Sequence, residues 1–286
     1  MKIVRMLQGS SEWHEHRRRY RNASETPVVL GLSPWQTAHQ LWQLKLGLIE
    51  QEVTPAMHRG SELEPLARAA YEQQTGRVMQ PLVIVDGEYS ASLDGITLAG
   101  DRLLEIKCPV KGRESALWKA VEAGHLPDHY QWQVQHQLLV TKAEVADVFV
   151  FDGAAGILLE VKPEPDTWPQ IHAAWDQFVA FVASKSQPPL SKGDVRERSD
   201  PEWAAAAAHY SEVKLFADQA QKALSEARDR LVALTSHTSE TGAGVTVTRY
   251  WKQGAVEYKK IPQLAELALD EFRAPGRYET RVGIVS

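Results

Sequence analysis

The stretch from Ser92 to Lys107, SLDGITLAGDRLLEIK, constrains the fold more than any other. Gly100-Asp101 forms a two-residue loop of the kind that closes a β-hairpin, and the arms beside it are rich in Leu, Ile and Thr. Such a loop sets Asp94 opposite Lys107 and makes Glu105 its diagonal neighbour on the same face. Strand side chains alternate, so Glu105 and Lys107 share that face while Ile106 and Cys108 turn into apolar packing. Two carboxylates a diagonal apart can ligate one hard divalent cation, because Mg²⁺ takes one or two carboxylates and completes its shell with waters, a carbonyl and phosphate oxygens. A lysine beside them can orient a bound water or offset charge on a phosphodiester under attack. The same three residues also suit a plain salt bridge on an exposed sheet face.

The chain has 286 residues, 43% of them hydrophobic and nine of them Trp, which is enough for a substantial core in one large domain or one domain with an appendage. A formal net charge of -5 neither favours nor excludes nucleic acid, since an enzyme that gathers acids at a metal site can still carry local basic surface. Cys108 is the only cysteine, which excludes intrachain disulfides, a cysteine-based zinc site and a four-cysteine iron-sulfur cluster, and fits a reducing cytoplasm. The N-terminus has no apolar run before its charges, and nowhere are there eighteen consecutive apolar residues. A soluble, unsecreted, cytoplasmic protein without membrane association is expected.

Ser11-Glu12 starts a helix that carries Trp13 and ends among Arg17, Arg18, Arg19 and Arg21. Ser33-Pro34 is expected to cap a second helix, PWQTAHQLWQLKLG, that stops at Gly47. From Pro55 to Gly76 apolar residues recur at helical spacing, with Glu64 at the edge of the stripe. The strands VMQPLVIV and EYSASLD lead into the hairpin. Pro127-Asp128 opens a helix in which Gln131 and Gln135 share one face and Gln133 and Gln137 another. The strands ADVFVFD and GILLEVK and a helix through Trp168 and Trp175 close the domain near Ser184. This order of elements reads as α/β with a mixed sheet over residues 1–185, a linker over 186–201 and an extension over 202–286. The extension holds a long Ala-rich helix from Trp203 to Leu234 with coiled-coil-like spacing, a hairpin of GVTVTRYW with AVEYKKI around Gly254, and a short helix.

Six separated segments, in order, resemble the lambda-exonuclease or YqaJ-like viral recombinase nucleases of the PD-(D/E)xK superfamily. They are Trp13 with Arg17; Ala23-Ser24-Glu25 followed by Gly31-Leu32-Ser33-Pro34; His58 through Glu64; Ser92-Leu93-Asp94-Gly95; Glu105-Ile106-Lys107-Cys108-Pro109; and Tyr130 through Leu138. The likeness runs from about Glu12 to about Phe181 and implies a restriction-endonuclease-like core, a central mixed β-sheet flanked by helices.

Site residues follow from the resemblance one position at a time. Asp94 and Glu105 would hold Mg²⁺, or Mn²⁺ in its place, with the backbone carbonyl of Ile106 as a further ligand. Lys107 would align or deprotonate the attacking water, Glu64 would help bind a second metal, and Gln135 would touch the active-site water or metal shell. Arg17, Ser24, Ser92 and Arg113 would hold the 5′ phosphate of the strand being cut. The implied activity is 5′-to-3′ exonuclease action on linear double-stranded DNA, releasing 5′-mononucleotides and leaving 3′ single-stranded tails for phage-type recombination. The implied partners are DNA ends, a single-strand annealing protein and further copies of the chain, in a ring with a trimer ranked first. A phage or prophage protein is expected. The rival readings are a structure-specific or restriction-like endonuclease on the same core, and a DNA-binding or protein-binding module without catalysis.

Overall fold

The computed structural model describes residues 1–286 apart from 7–8, 51–52, 266, 268–271, 273, 275, 278–279 and 281–286. The chain divides into two compact units, Met1–Arg196 and Glu197–Ser286. In the first, strand β1 (Lys2–Val4) and helix α1 (Ser11–Arg19) precede strand β2 (Arg21–Asn22) and helices α2 (Thr26–Val29), α3 (Ala38–Lys45) and α4 (Pro55–Thr75). Strands β3 (Gln80–Asp86), β4 (Tyr89–Ile96) and β5 (Arg102–Lys107) follow. Helices α5 (Ala116–Glu122) and α6 (Asp128–Thr141), strands β6 (Val145–Phe151) and β7 (Gly156–Val161), and helix α7 (Trp168–Ala183) complete the unit. The strands form one seven-stranded sheet in the order β1-β3-β4-β5-β6-β7, with β2 beside β4. Pairing is parallel for β5 with β6 and β2 with β4 and antiparallel elsewhere.

Both faces of the sheet are covered. Val134 and Leu138 of α6 pack on Leu93, Leu103 and Val148, and on the other face Tyr71 of α4 packs on Ile106 and Phe149. Each such side chain, fully buried, contributes about 1.5–3 kcal/mol relative to exposure. The second helix begins later than its Ser33-Pro34 pair suggests. The Ser33 hydroxyl accepts the N–H groups of Trp35 and Gln36 in a local turn, and a capping box of Thr37 with Gln40 starts α3 instead.

The central hairpin also differs from expectation. Thr97 N–H donates to the Arg102 carbonyl at 3.0 Å, and Gly100, at φ +77°, donates to the Thr97 carbonyl at 3.0 Å, so the loop runs over four residues, Leu98 to Asp101. The Thr97 hydroxyl donates to the Asp101 carboxylate and holds it shut. Gly95 therefore faces Leu104 and Ile96 faces Leu103. Continued by one pair, that register sets Asp94 opposite Glu105, not Lys107. A shift of two residues leaves every side chain on its own face, which is why Glu105 and Lys107 still point together.

β4 and β5 pair only at those two positions. On the other edge of β4, Ile96 pairs with Gln80 but Leu93 with Leu82, so one extra residue is inserted into β4 between Leu93 and Ile96. Leu93 and Ile96 accordingly join the same cluster, out of step with strand alternation. A bulge bends its strand and re-aims side chains, and the residue it re-aims here is Asp94. Beyond it β5 stays with β6 as far as Lys107 and Val150, while Tyr89-Ser90 at the other end of β4 pair with Arg21-Asn22. A fork opens between β4 and β5.

In the second unit, Asp200 caps helix α8 (Pro201–Leu234) by accepting the Trp203 N–H at 3.0 Å. Strands β8 (Ser239–Gly242) and β9 (Val245–Thr248) form a hairpin, and a short helix α9 (Pro262–Ala265) follows. The expected pairing of GVTVTRYW with AVEYKKI is replaced by one a strand earlier. Ala243 and Gly244 both take positive φ, 47° and 80°, the two-residue loop whose twist suits a hairpin, and residues 249–257 form no strand. Among the described residues no helix is long and apolar enough to cross a membrane.

Candidate active site

Glu105 points from β5 toward α6, 4% exposed. Its Oε1 accepts from Lys107 Nζ and from Gln133 Nε2, both at 2.7 Å, and its Oε2 accepts from Gln137 Nε2 at 2.5 Å. Gln133 and Gln137 are one turn apart, so a single face of α6 serves this carboxylate. The Lys107 ammonium lies 5.0 Å from the centre of the Tyr130 ring. Burial works against the ammonium, but Glu105, Tyr130 and Asp94 together outweigh it and lift the pKa above the ordinary lysine value.

Gln135 lies apart from these contacts. Its Nε2 donates to the Lys162 carbonyl and its Oε1 accepts the Glu164 N–H, each at 2.8 Å, while Gln131 donates to the Glu164 carboxylate at 2.8 Å. The Gln131 and Gln135 face therefore straps α6 to the chain after β7. The glutamine spacing separates the two faces correctly. The resemblance names Gln135, but the residues that reach Glu105 are Gln133 and Gln137.

Asp94 spans the fork: its Oδ2 accepts the Ile106 N–H at 2.7 Å, where a regular ladder would have a backbone carbonyl. Glu64 on α4 is paired with Arg68 at 3.1 Å. Burial, then the charges of Glu105 and Glu64, raise the Asp94 carboxyl well above the ordinary carboxylate range, against relief from the Ile106 N–H and Lys107. Burial also raises Glu64, with Arg68 opposing and Glu105 adding to the rise. The Cys108 thiol, just past the end of β5, is pushed up to about 11 by burial and by Asp94.

Arg17, Ser24 and Ser92 line one recess of about 20 Å³, with His16 and Ser90, themselves 2.8 Å apart, in its wall. That is room for a single water or phosphate oxygen. Arg17 donates to Ser24 Oγ at 3.1 Å and to Glu25 Oε1 at 2.8 Å, and its guanidinium lies 4.7 Å over the Trp13 ring. Glu25 in turn accepts from Lys45 at 2.7 Å and from Asn22 at 2.8 Å. Burial would raise the Glu25 carboxyl, yet Lys45 and Arg17 hold it below its ordinary value. Arg17 is thus fixed by a buried carboxylate that it shares with Lys45, 20 residues further along the chain, a contact that no local spacing reveals. Arg113 does not line the recess: its Nε donates to Asp152 at 2.7 Å and its side chain is 64% exposed.

Residues 12–144 match the family model for the YqaJ-like viral recombinase domain. This part of the chain is similar to the YqaJ-like viral recombinase domain. The uncharacterized protein YqaJ of Bacillus subtilis (strain 168) is 28% identical over 140 residues, which are 46% of this chain and 43% of that protein. The chain thus spans less than half the length of this curated relative. Among solved structures, the alkaline exonuclease LHK-Exo from Laribacter hongkongensis is 24% identical, with a TM-score of 0.52 over 62% of this chain and 94% of that one. The same scores describe a crystal of LHK-Exo in complex with dAMP. The fold is of the restriction-endonuclease-like type. All of Glu64, Asp94, Glu105, Lys107, Gln133 and Gln137 fall inside the matched segment.

The donors in this domain suit a hard divalent cation. Three carboxylates, Asp94, Glu105 and Glu64, influence one another within a largely buried site, against two cations, Lys107 and the Arg68 that pairs with Glu64. A cation would offset that excess of negative charge. Among the described residues no three His, Cys, Asp or Glu side chains form a metal cage by themselves. Mg²⁺ asks for less, one or two carboxylates with waters and substrate oxygens.

Proposed function

We propose that this chain is a divalent-metal-dependent deoxyribonuclease that degrades one strand of linear duplex DNA from its 5′ end and leaves a 3′ single-stranded tail. The observation that carries this reading is the strand fork, which gathers Asp94, Glu105 and Lys107 around three consecutive residues of β5. The LHK-Exo crystal with dAMP supports a nucleotide product. Asp94, Glu105 and the Ile106 carbonyl would hold Mg²⁺ or Mn²⁺, with Glu64 serving a second ion, and this site would then supply Lewis-acid polarisation of a phosphoryl oxygen and a more acidic water.

The chain's own residues supply the rest. Lys107 orients the attacking water and offsets charge that develops on the phosphoryl oxygens. Gln133 and Gln137 hold Glu105 in one orientation, and Arg17, Ser24 and Ser92 receive the terminal phosphate. Trp35, 68% exposed and edge-on to His129 beside Tyr130, offers an aromatic surface on which a base can stack. A ring-shaped homo-oligomer and an annealing protein that takes up the 3′ tail fit an enzyme of phage or prophage origin.

The deciding experiment incubates end-labelled linear duplex and closed circular duplex with the protein, in Mg²⁺ or EDTA. Linear DNA is expected to be digested only with Mg²⁺ while circles persist; cutting of circles would establish the endonuclease reading instead. Linear substrates with 5′ phosphate or 5′ hydroxyl test the recess. A charge-assisted hydrogen-bond pair is worth about 1.5–3 kcal/mol, so Arg17→Ala is expected to slow digestion of phosphorylated ends by roughly 10–100-fold and barely affect hydroxyl ends. Equal slowing on both ends would remove the recess from the mechanism. The glutamine assignment separates in the same assay: Gln137→Leu lowers turnover about tenfold or more, whereas Gln135→Leu lowers the unfolding midpoint and leaves turnover of the folded enzyme near wild type. The reverse pattern would restore Gln135.

A further inference from the structure

Helix α8 is 34 residues long, and none of its side chains is buried. Counting from Trp203 in alternating steps of three and four, positions 203, 206, 210, 213, 217, 220, 224, 227, 231 and 234 are all apolar. The large aliphatic side chains on this line stay between 41% and 73% exposed, from Leu231 to Leu234. A helix of this length gains most of its stability from packing, so a continuous apolar seam left open calls for an occupant.

The period identifies the kind of occupant. A seam that faces a flat surface follows the natural repeat of 3.6 residues. A strict seven-residue repeat drifts by about 20° per heptad on a straight helix and stays in register only against another helix that supercoils with it. Leu215 and Val232 are the large aliphatic residues off this line, and Phe216 flanks it.

The order of sizes identifies the partner. We propose that α8 pairs antiparallel with α8 of a second copy of this chain, about a two-fold axis between residues 218 and 219. In that register Tyr210 meets the partner's Ala227, Leu231 meets the partner's Ala206, and Leu224 meets the partner's Val213. Ala217 meets the partner's Ala220 at the centre, and Trp203 meets the partner's Leu234 at each end. Tyr210 and Leu231 thus face alanines, Leu224 faces the smaller Val213, and the one Ala-on-Ala layer sits at the centre, which spreads the bulk along the seam and leaves fewer voids than a parallel pair. A parallel pair would instead stack Trp203 and Tyr210 on their own copies and leave Ala-on-Ala layers at 206, 217, 220 and 227. A seam complementary to its own reversal is what an isologous contact requires, and a foreign helix gives no reason for it. Burying two aromatic and four aliphatic side chains from each helix hides on the order of 1,000 Å², the lower end of the range for specific interfaces. This inference is independent of the nuclease reading.

The test measures the mass of the full chain by light scattering across a concentration series. An even number of chains is expected at high concentration, and Leu224→Lys with Leu231→Lys should lower the mass at least twofold. A wild-type mass of one chain or of three, or an unchanged mass in the double variant, would overturn the pairing. Orientation is read in a Cys108→Ser background under mild oxidation. Ala206→Cys alone should not cross-link to itself, whereas Ala206→Cys mixed with Leu231→Cys should cross-link as a heterodimer. Rapid self-cross-linking of Ala206→Cys would show a parallel pair and overturn the antiparallel register.

Discussion

Asp94→Asn is expected to lower the rate of DNA digestion by at least ~10³-fold at saturating metal, and in EDTA to raise the unfolding midpoint above that of wild type. The two effects share a cause. The amide is isosteric and keeps the hydrogen bond from the Ile106 N–H across the fork, so the bulge and its neighbours keep their shape. What is lost is a charge that burial, Glu105 and Glu64 make costly in the metal-free protein. A carboxyl whose folded pKa lies above its unfolded value binds its proton more tightly when folded, so its stability penalty is absent at acid pH and grows as pH rises through the folded value. The gain from Asp94→Asn should therefore be small below about pH 4 and largest near neutrality. Added Mg²⁺ should reverse the order. A ligand at a hundred times its Kd stabilises the folded state by about 2.7 kcal/mol, and the variant has lost a ligand for it. Wild-type digestion by the variant, or a variant less stable than wild type in EDTA, would remove Asp94 from the metal site.

The part of this site legible in the sequence is the part written in period two. Glu105 and Lys107 share a face under any register that keeps alternation, so their pairing survives a loop of four residues where Gly100-Asp101 suggests two. Loop length itself was hidden, because it depends on Thr97 closing on Arg102 and on the Asp101 carboxylate, contacts that no local spacing reveals. The bulge that turns Asp94 into the fork is likewise set by β3 on the far edge of β4. The faces of α6 were readable from one-turn spacing, but which face meets β5 depends on how the helix lies on the sheet, and this separates Gln133 and Gln137 from Gln135. Arg113 follows its family position in sequence, yet Asp152, 39 residues later, holds its guanidinium outside the recess.

Asp147→Ala is expected to have the largest effect on stability. Asp147 lies on β6 in the same sheet as Asp94 and is completely buried, but it faces cations in place of carboxylates. Arg102 donates to its Oδ1 at 2.5 Å, Arg77 lies 3.6 Å from its Oδ2, and the Tyr71 hydroxyl also donates to Oδ2. Glu160 at 2.6 Å shares Arg102. Burial, then Asp147, pushes the Tyr71 hydroxyl up to about 12, so it stays a donor at any working pH. Removing one partner of a buried, hydrogen-bonded charge network costs about 3–5 kcal/mol, and in a unit of this size about 1 kcal/mol moves the midpoint by roughly 2–4 °C. A fall of about 10 °C or more is expected by calorimetry, and Asp147→Asn, which keeps an acceptor, should lose less. Activity should fall with Asp147→Ala even at temperatures where the variant is folded. Tyr71 and Glu64 are two turns apart on α4, and the Tyr71 bond to β6 fixes the helix that presents Glu64 to the fork. The same substitution, Asp to Asn, should thus stabilise at one position of the sheet and destabilise at the other. The balance of neighbouring charges is opposite at the two sites, and a midpoint that moves the same way for both would show that electrostatic crowding does not mark the active site.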